Sequence, residues 1–235
     1  MTACPTTDEI ASLAGIDTPT ICNLLEMVVP ERRGYGFTVQ HLHCLYPHMK
    51  PIVGFARTAT MRAKDPARWT PDEARSRRNR YLDYVANGDV PKICVVQDVD
   101  ERPGYGALFG EVNSTVHKAL GCLGLVTDGS VRDIDQLAPD FQVLAGLVAP
   151  SHAFVHVAQW ACEVNIEGMV VQDGDLIHAD RHGAVVVPLT AVRGVLDSLD
   201  LMVRREAVIL DAARRPGATV EDIKDAWKQS DQINE

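Results

Sequence analysis

Lys92-Ile93-Cys94-Val95-Val96-Gln97-Asp98-Val99, then Gly110-Glu111-Val112-Asn113-Ser114-Thr115, then Leu123-Gly124-Leu125-Val126-Thr127-Asp128-Gly129-Ser130-Val131-Arg132-Asp133, is the stretch on which the fold turns. The β-branched run at 92–99 reads as a buried strand. Gly104, Gly106 and Gly110 punctuate a loop, 111–120 reads as a helix, and 123–127 as a second buried strand. Asp128-Gly129 is expected to turn the chain tightly, and 134–137 to form a short helical segment. Strands that follow one another through a crossover helix commonly lie side by side in the sheet. The loop entering the helix and the end of the second strand would then flank one crevice.

Outward from there the pattern stays mixed. Residues 8–29 read as two short helices, the second opened by Asp17-Thr18-Pro19. Residues 37–62 read as strands and turns. Thr70-Pro71-Asp72-Glu73 is a capping box with proline in the first turn, so a helix should run to about Ala86 and stop at Asn87-Gly88. Segments 141–147 and 169–171 read as strands, and 176–179 with 184–187 as a hairpin. From Leu189 to about Ala213 the period becomes helical, with Leu196, Leu199, Met202 and Val203 on one face, and Thr219–Trp227 forms a last helix. The fold class is α/β, one domain over residues 1–235 with extra N- and C-terminal helices.

The 235 residues are 46% apolar, and 23 Lys plus Arg against 32 Asp plus Glu give a net charge of -9. That balance argues against a uniformly basic nucleic-acid surface. No apolar run reaches the roughly 20 residues of a membrane span, and the start of the chain, Met1 to Glu9, does not read as a signal peptide. Cys4, Cys22, Cys44, Cys94, Cys122 and Cys162 form no C-x-x-C pair and are expected to be reduced, mostly buried thiols of a cytoplasmic protein.

The common catalytic motifs are missing: there is no Walker loop, no G-x-S-x-G elbow and no dinucleotide fingerprint. The Arg75, Arg77, Arg78, Arg80 run reads as a solvated helix face. His41, His43 and His48 read as surface and packing histidines, His152 and His156 suit zinc poorly, and His178 and His182 should be exposed beside a turn. The remaining constellation can carry chemistry. Amides around Gly110 to Ser114 lack acceptors at a helix start and attract a carboxylate. Asp133 offers oxygen to a hard dication, Arg132 a planar fork to an oxyanion, and Glu111 a second acid. Such a set suits a metal-bound 2-oxo acid. From spacing alone, a plainer reading is preferred: Asp133 caps the segment after it and Arg132 pairs with a surface acid.

Glu111-x20-Arg132-Asp133, with Asp128-Gly129-Ser130-Val131-Arg132-Asp133, resembles the RraA-like family. So do Val170 to Pro188, which is similar to the family's second signature, and Gly54-Phe55-Ala56-Arg57-Thr58-Ala59. The likeness covers about residues 15–228. It implies a swivelling β/β/α domain, assembled as a homotrimer or homohexamer. It also implies a lyase: a class II pyruvate aldolase that cleaves 4-hydroxy-2-oxo acids, decarboxylates oxaloacetate, and uses Mg²⁺ or Mn²⁺. By position, Asp133 would be the metal ligand and Arg132 would stabilise the enolate. Gly110, Glu111, Val112, Asn113, Ser114 and Arg132 would bind the substrate, and Glu111 would orient a water. Glu206 is the candidate for a glutamate supplied by a neighbouring subunit. Glu111 stands where the aldolases carry Asp, and the Thr70 helix is an addition at the site entrance. The family's other activity, inhibition of a ribonuclease by binding, is the alternative. Methyl transfer to a quinone lacks a recognisable adenosylmethionine loop.

Overall fold

The computed structural model describes residues 4–234, so the first three residues of the N-terminal reading lie outside it. The elements, in order, are α1 (Thr7–Leu13), α2 (Thr18–Val28), β1 (His43–Cys44), β2 (Ile52–Arg62), α3 (Pro71–Ala86), β3 (Lys92–Asp98), β4 (Ala107–Phe109) and α4 (Glu111–Ala119). They continue with β5 (Cys122–Val131), β6 (Gln142–Val148), β7 (His156–Trp160), β8 (Val164–Ile166), β9 (Met169–Val171), β10 (Leu176–Asp180), β11 (Gly183–Val187), α5 (Val192–Ala213) and α6 (Val220–Gln232). This is the mixed α/β class that the sequence predicts.

The main sheet runs β1-β6-β5-β3-β2-β10-β11. Its centre, β2, β3, β5 and β6, is parallel, and the flanking pairs β1–β6, β2–β10 and β10–β11 are antiparallel. The sheet curls until its two ends share a core: Leu144 of β6 packs in one cluster with Ala184 and Val186 of β11. Residues 36–45 nearly close the gap. Thr38 N donates to Ala184 O and Leu45 N to Val143 O, each at 3.0 Å. The hairpin β8–β9 fills the interior with Val164, Ile166, Met169 and Val171. Outside, α1, α2 and α5 cover one flank of the curl (Leu13, Leu24, Val195, Met202). Tyr81 and Val85 of α3 cover another.

Several expectations are corrected. Asp128-Gly129 lies inside β5, not at a turn: pairing with β6 resumes at Ser130 and Val131 after a register shift. The glycine therefore marks a bulge in a central strand. Residues 134–136 form a turn, closed by Gln136 N donating to Asp133 O, with no helix after it. Val203 is exposed, so it leaves the apolar face of α5. Helix α6 runs five residues beyond Trp227, to Gln232, because Ala226 and Ser230 bury themselves as it packs on α5. Of the cysteines, Cys94 and Cys122 are buried, while Cys22, Cys44 and Cys162 are partly covered and Cys4 is exposed. His178 is fully buried. Its Nε2–H donates to Ile16 O at 2.9 Å and its Nδ1 accepts from Thr18 Oγ1 at 3.0 Å, so burial within this network holds the ring below the usual histidine range.

Candidate functional site

The site is made by one short pairing. β4 runs parallel to the last residues of β5, with Phe109 opposite Val131 and Arg132 N donating to Phe109 O at 3.0 Å. The residues that leave these two strands, Gly110-Glu111 and Arg132-Asp133, therefore emerge side by side at the carboxyl ends of the parallel strands. Such ends are where α/β sheets commonly bind ligands.

Gly110 is indispensable to that contact. A Cβ added there would sit 2.4 Å from Asp133 Oδ2 and 3.1 Å from Arg132 Cγ. Its φ of -151° is ordinary extended backbone, so the glycine is required by close approach rather than by conformation. Asp133 itself has a φ of 52°, in the left-handed region that aspartate tolerates at some cost. This backbone setting turns the carboxylate toward α4, where Oδ2 accepts from Glu111 N at 3.3 Å. Arg132 Nε lies 3.6 Å from the same oxygen, and both side chains are about one-third exposed. Asp133 thus neither caps a following helix nor leaves Arg132 to a distant acid. It bridges to the start of α4, and Arg132 pairs with it.

The predicted amide cradle is narrower than the sequence reading had it. Glu111 N is taken by Asp133, and Ser114 N donates to Gly110 O as the first helical bond. The amides of Val112 and Asn113 have no protein acceptor among the described residues. Ser114 is fully buried, its hydroxyl donating to Glu111 O and accepting from Ala138 N. It fastens α4 to the 137–138 segment. Asn113 Nδ2 donates to Leu108 O, while Glu111 and Val112 project to the surface. Glu206 is exposed on α5, a helix whose partners are α1, α2 and α6. Nothing within the described chain joins it to Asp133.

The sequence reading passed over two acids behind the site, Asp98 and Asp128. Asp128 Oδ1 accepts from Asp98 N at 2.7 Å, and Asp98 accepts from the amides of Asp100 and Gly104. Burial drives both carboxyls up, Asp128 to about 7, with the Asp98 charge adding to the rise at Asp128 and the Asp100 charge to that at Asp98. Asp100 ties in the end of β2 by accepting from Ala63 N and Lys64 N. An alternating Asp98-x-Asp100 directly after a β-branched strand was the available signal. These acids brace the loops at the strand ends. On the inner face of α4, His117 donates from Nδ1 to Asn113 O and accepts from Tyr81 of α3. Burial pushes its pKa down to about 4, so it stands neutral.

Among the described residues, no three His, Cys, Asp or Glu side chains gather into a metal cluster. A single carboxylate remains compatible with Mg²⁺, which keeps several waters and commonly takes one or two protein carboxylates plus oxygens of its substrate. Asp133 meets that requirement, since Oδ1 has no partner among the described residues. No helix of the described chain is long and apolar enough to cross a membrane.

Known proteins agree with this architecture. The chain is 28% identical over 134 residues to protein MJ0644 of Methanocaldococcus jannaschii, a match spanning 56% of this chain and 64% of that protein. A crystal structure of a Pseudomonas syringae protein superposes with a TM-score of 0.70 at 20% identity, covering 95% of this chain and 96% of the other. Streptomyces coelicolor RraAS2, described as an unusual member of the RNase ES inhibitor RraA protein family, gives 0.67 at 23% identity, covering 91% and 99%. The family model for aldolase/RraA matches residues 18–186, which include both strands of the site, and the chain therefore belongs to the RraA-like family.

Proposed function

We propose that this chain is a divalent-metal-dependent class II pyruvate aldolase with oxaloacetate decarboxylase activity. One observation carries the reading: Gly110, which has no room for a methyl group, lets the Asp133 carboxylate lie against the start of α4, beside Arg132 and two acceptor-free amides. Asp133 would hold Mg²⁺ or Mn²⁺, which when bound polarises the keto oxygen of a 2-oxo acid. The Val112 and Asn113 amides bind the pyruvyl carboxylate at the positive end of the helix. Arg132 donates to the keto oxygen and stabilises the negative charge that grows there. Glu111, through water, accepts the proton of the C4 hydroxyl as the C3–C4 bond breaks. The bonding pair passes to C3, which is then protonated to give pyruvate. Loss of CO₂ from oxaloacetate delivers the same enolate and needs no base at C4.

The site opens beside exposed Tyr105, Ile134, Leu147 and Val148, apolar side chains that a neighbouring subunit would cover in a homotrimer or homohexamer. Glu206 would come from such a neighbour. A cytoplasmic location fits the free thiols. The test supplies oxaloacetate with Mg²⁺ or Mn²⁺ and follows pyruvate. Turnover that falls at least about 100-fold in Asp133→Ala supports the reading. No turnover with either metal, together with stoichiometric capture of a ribonuclease, supports the regulator instead.

A further inference from the structure

Between α3, α4 and residues 152–160 lies a cavity of about 680 Å³, a size that accommodates a small organic ligand. It stands apart from the candidate site, because Gly110, Glu111, Arg132 and Asp133 are all absent from its wall. Much of that wall is apolar, with Trp69, Leu82, Val116, Phe154 and Trp160 prominent. Phe154 is 57% exposed although it faces a concavity, so the apolar surface is open to an occupant.

Charged side chains in the wall have one sign. Arg77 and Arg78 line the cavity, as do three histidines, and no Asp or Glu among the described residues does. The chain as a whole carries 32 acids against 23 Lys plus Arg, so the local excess is opposite to the global one. Arg77 is held in place: its guanidinium carbon lies 4.3 Å from the Trp69 ring centroid and 5.3 Å from that of Trp160, and Nη2 donates to Ala158 O. Nε is sealed in, but Nη1 is neither enclosed nor hydrogen-bonded among the described residues. Arg78 is exposed and has no acid partner among them. The wall therefore offers one fixed cationic donor beside a broad apolar surface. A single carboxylate would be satisfied there. A second one, or a phosphate dianion, would lose water against tryptophan and leucine with no fixed donor in return.

We propose that this cavity is a second ligand site, built for an amphipathic monocarboxylate of the fatty-acid type. The carboxylate binds Arg77 Nη1, and the aliphatic chain lies along the wall of Trp69, Leu82 and Phe154. The proposal does not depend on the aldolase reading, since the two sites share no charged side chain.

Calorimetric titration into the full chain, without added metal, compares octanoate, butanoate and 1-octanol. Octanoate should bind at least about tenfold tighter than butanoate, through burial of its longer chain. It should also bind at least about tenfold tighter than 1-octanol, through the charge-assisted bond to Arg77. Arg77→Leu should bring octanoate and 1-octanol to within about threefold of each other. Leu82→Glu should weaken octanoate at least about tenfold, and the uncharged Leu82→Gln by clearly less. Arg132→Leu, at the candidate site, should leave octanoate affinity unchanged. Octanoate that binds the parent chain no tighter than butanoate or 1-octanol would overturn the proposal, and this comparison decides even where a variant fails to fold. So would an octanoate affinity that is lost in Arg132→Leu and kept in Arg77→Leu.

Discussion

Replacing Gly110 by alanine isolates the contact on which the site depends. The added methyl carbon would lie 2.4 Å from Asp133 Oδ2, roughly 1 Å inside ordinary van der Waals contact. The neighbouring Arg132 Cγ and Asp133 Cγ, at 3.1 and 3.2 Å, block the simplest sideways escape. The carboxylate must therefore swing away, breaking its bond to Glu111 N and shifting the proposed metal-binding oxygen by about the same 1 Å. Misplacement on that scale commonly costs about 100-fold in rate. Stability should change little, by less than about 1 kcal/mol, because the displaced group is the end of a partly exposed side chain and the backbone at Gly110 suits any residue. Oxaloacetate decarboxylation with Mg²⁺ and a thermal melt on the same sample separate the two effects. A Gly110→Ala variant that melts like the parent and turns over within threefold of it would refute the reasoning.

Further outcomes concern the scaffold. Gly124→Ala places a Cβ 2.3 Å from Gln142 O, a backbone atom of the adjoining strand, and should destabilise by about 2–3 kcal/mol in urea unfolding. Thr70→Ala removes the Oγ1 that accepts from Glu73 N and donates to Glu73 Oε2, while the reciprocal bond from Thr70 N to Glu73 Oε2 stays; this should cost about 1 kcal/mol. Asp128 keeps its proton in the fold up to about pH 7, whereas an unfolded chain releases it near the ordinary aspartate value. The folded state therefore binds more protons in that window, and its stability falls as pH rises from about 4 to 7, by at most about 1.4 kcal/mol per pH unit. Asp128→Asn retains an acceptor for Asp98 N and should remove this loss. Its advantage over the parent should grow from pH 5 to pH 8 in denaturant titrations, and an advantage that shrinks would contradict the assignment.

Much of the fold was legible because its signals are local. The Thr70 and Asp17 caps, the β-branched 92–98 strand and the 176–187 hairpin each declare themselves within a few residues. Asp128-Gly129 misleads for a physical reason. The dipeptide reads as a turn, but pairing with β6 on one side and with β4 beyond carries the strand through it as a bulge. His178 misleads similarly, since the hairpin that should expose it packs against α1, α2 and the turn between them, where Leu13 O, Ile16 O and Thr18 satisfy the ring. In the site, Arg132 and Asp133 could be singled out by residue type and neighbourhood. Their juxtaposition with Gly110 depends on the three-residue strand β4, too short to show a period. The burial of Asp98 and Asp128 is likewise a tertiary fact.

The central claim is that Asp133 holds a divalent cation together with a 2-oxo acid. Calorimetric titration of Mg²⁺ or Mn²⁺ into the full chain in the presence of pyruvate addresses it directly, without relying on turnover. The account predicts saturable uptake of one ion per chain that strengthens with pyruvate and disappears in Asp133→Ala. Uptake that is absent from the parent chain, or that persists undiminished in the variant, would contradict it.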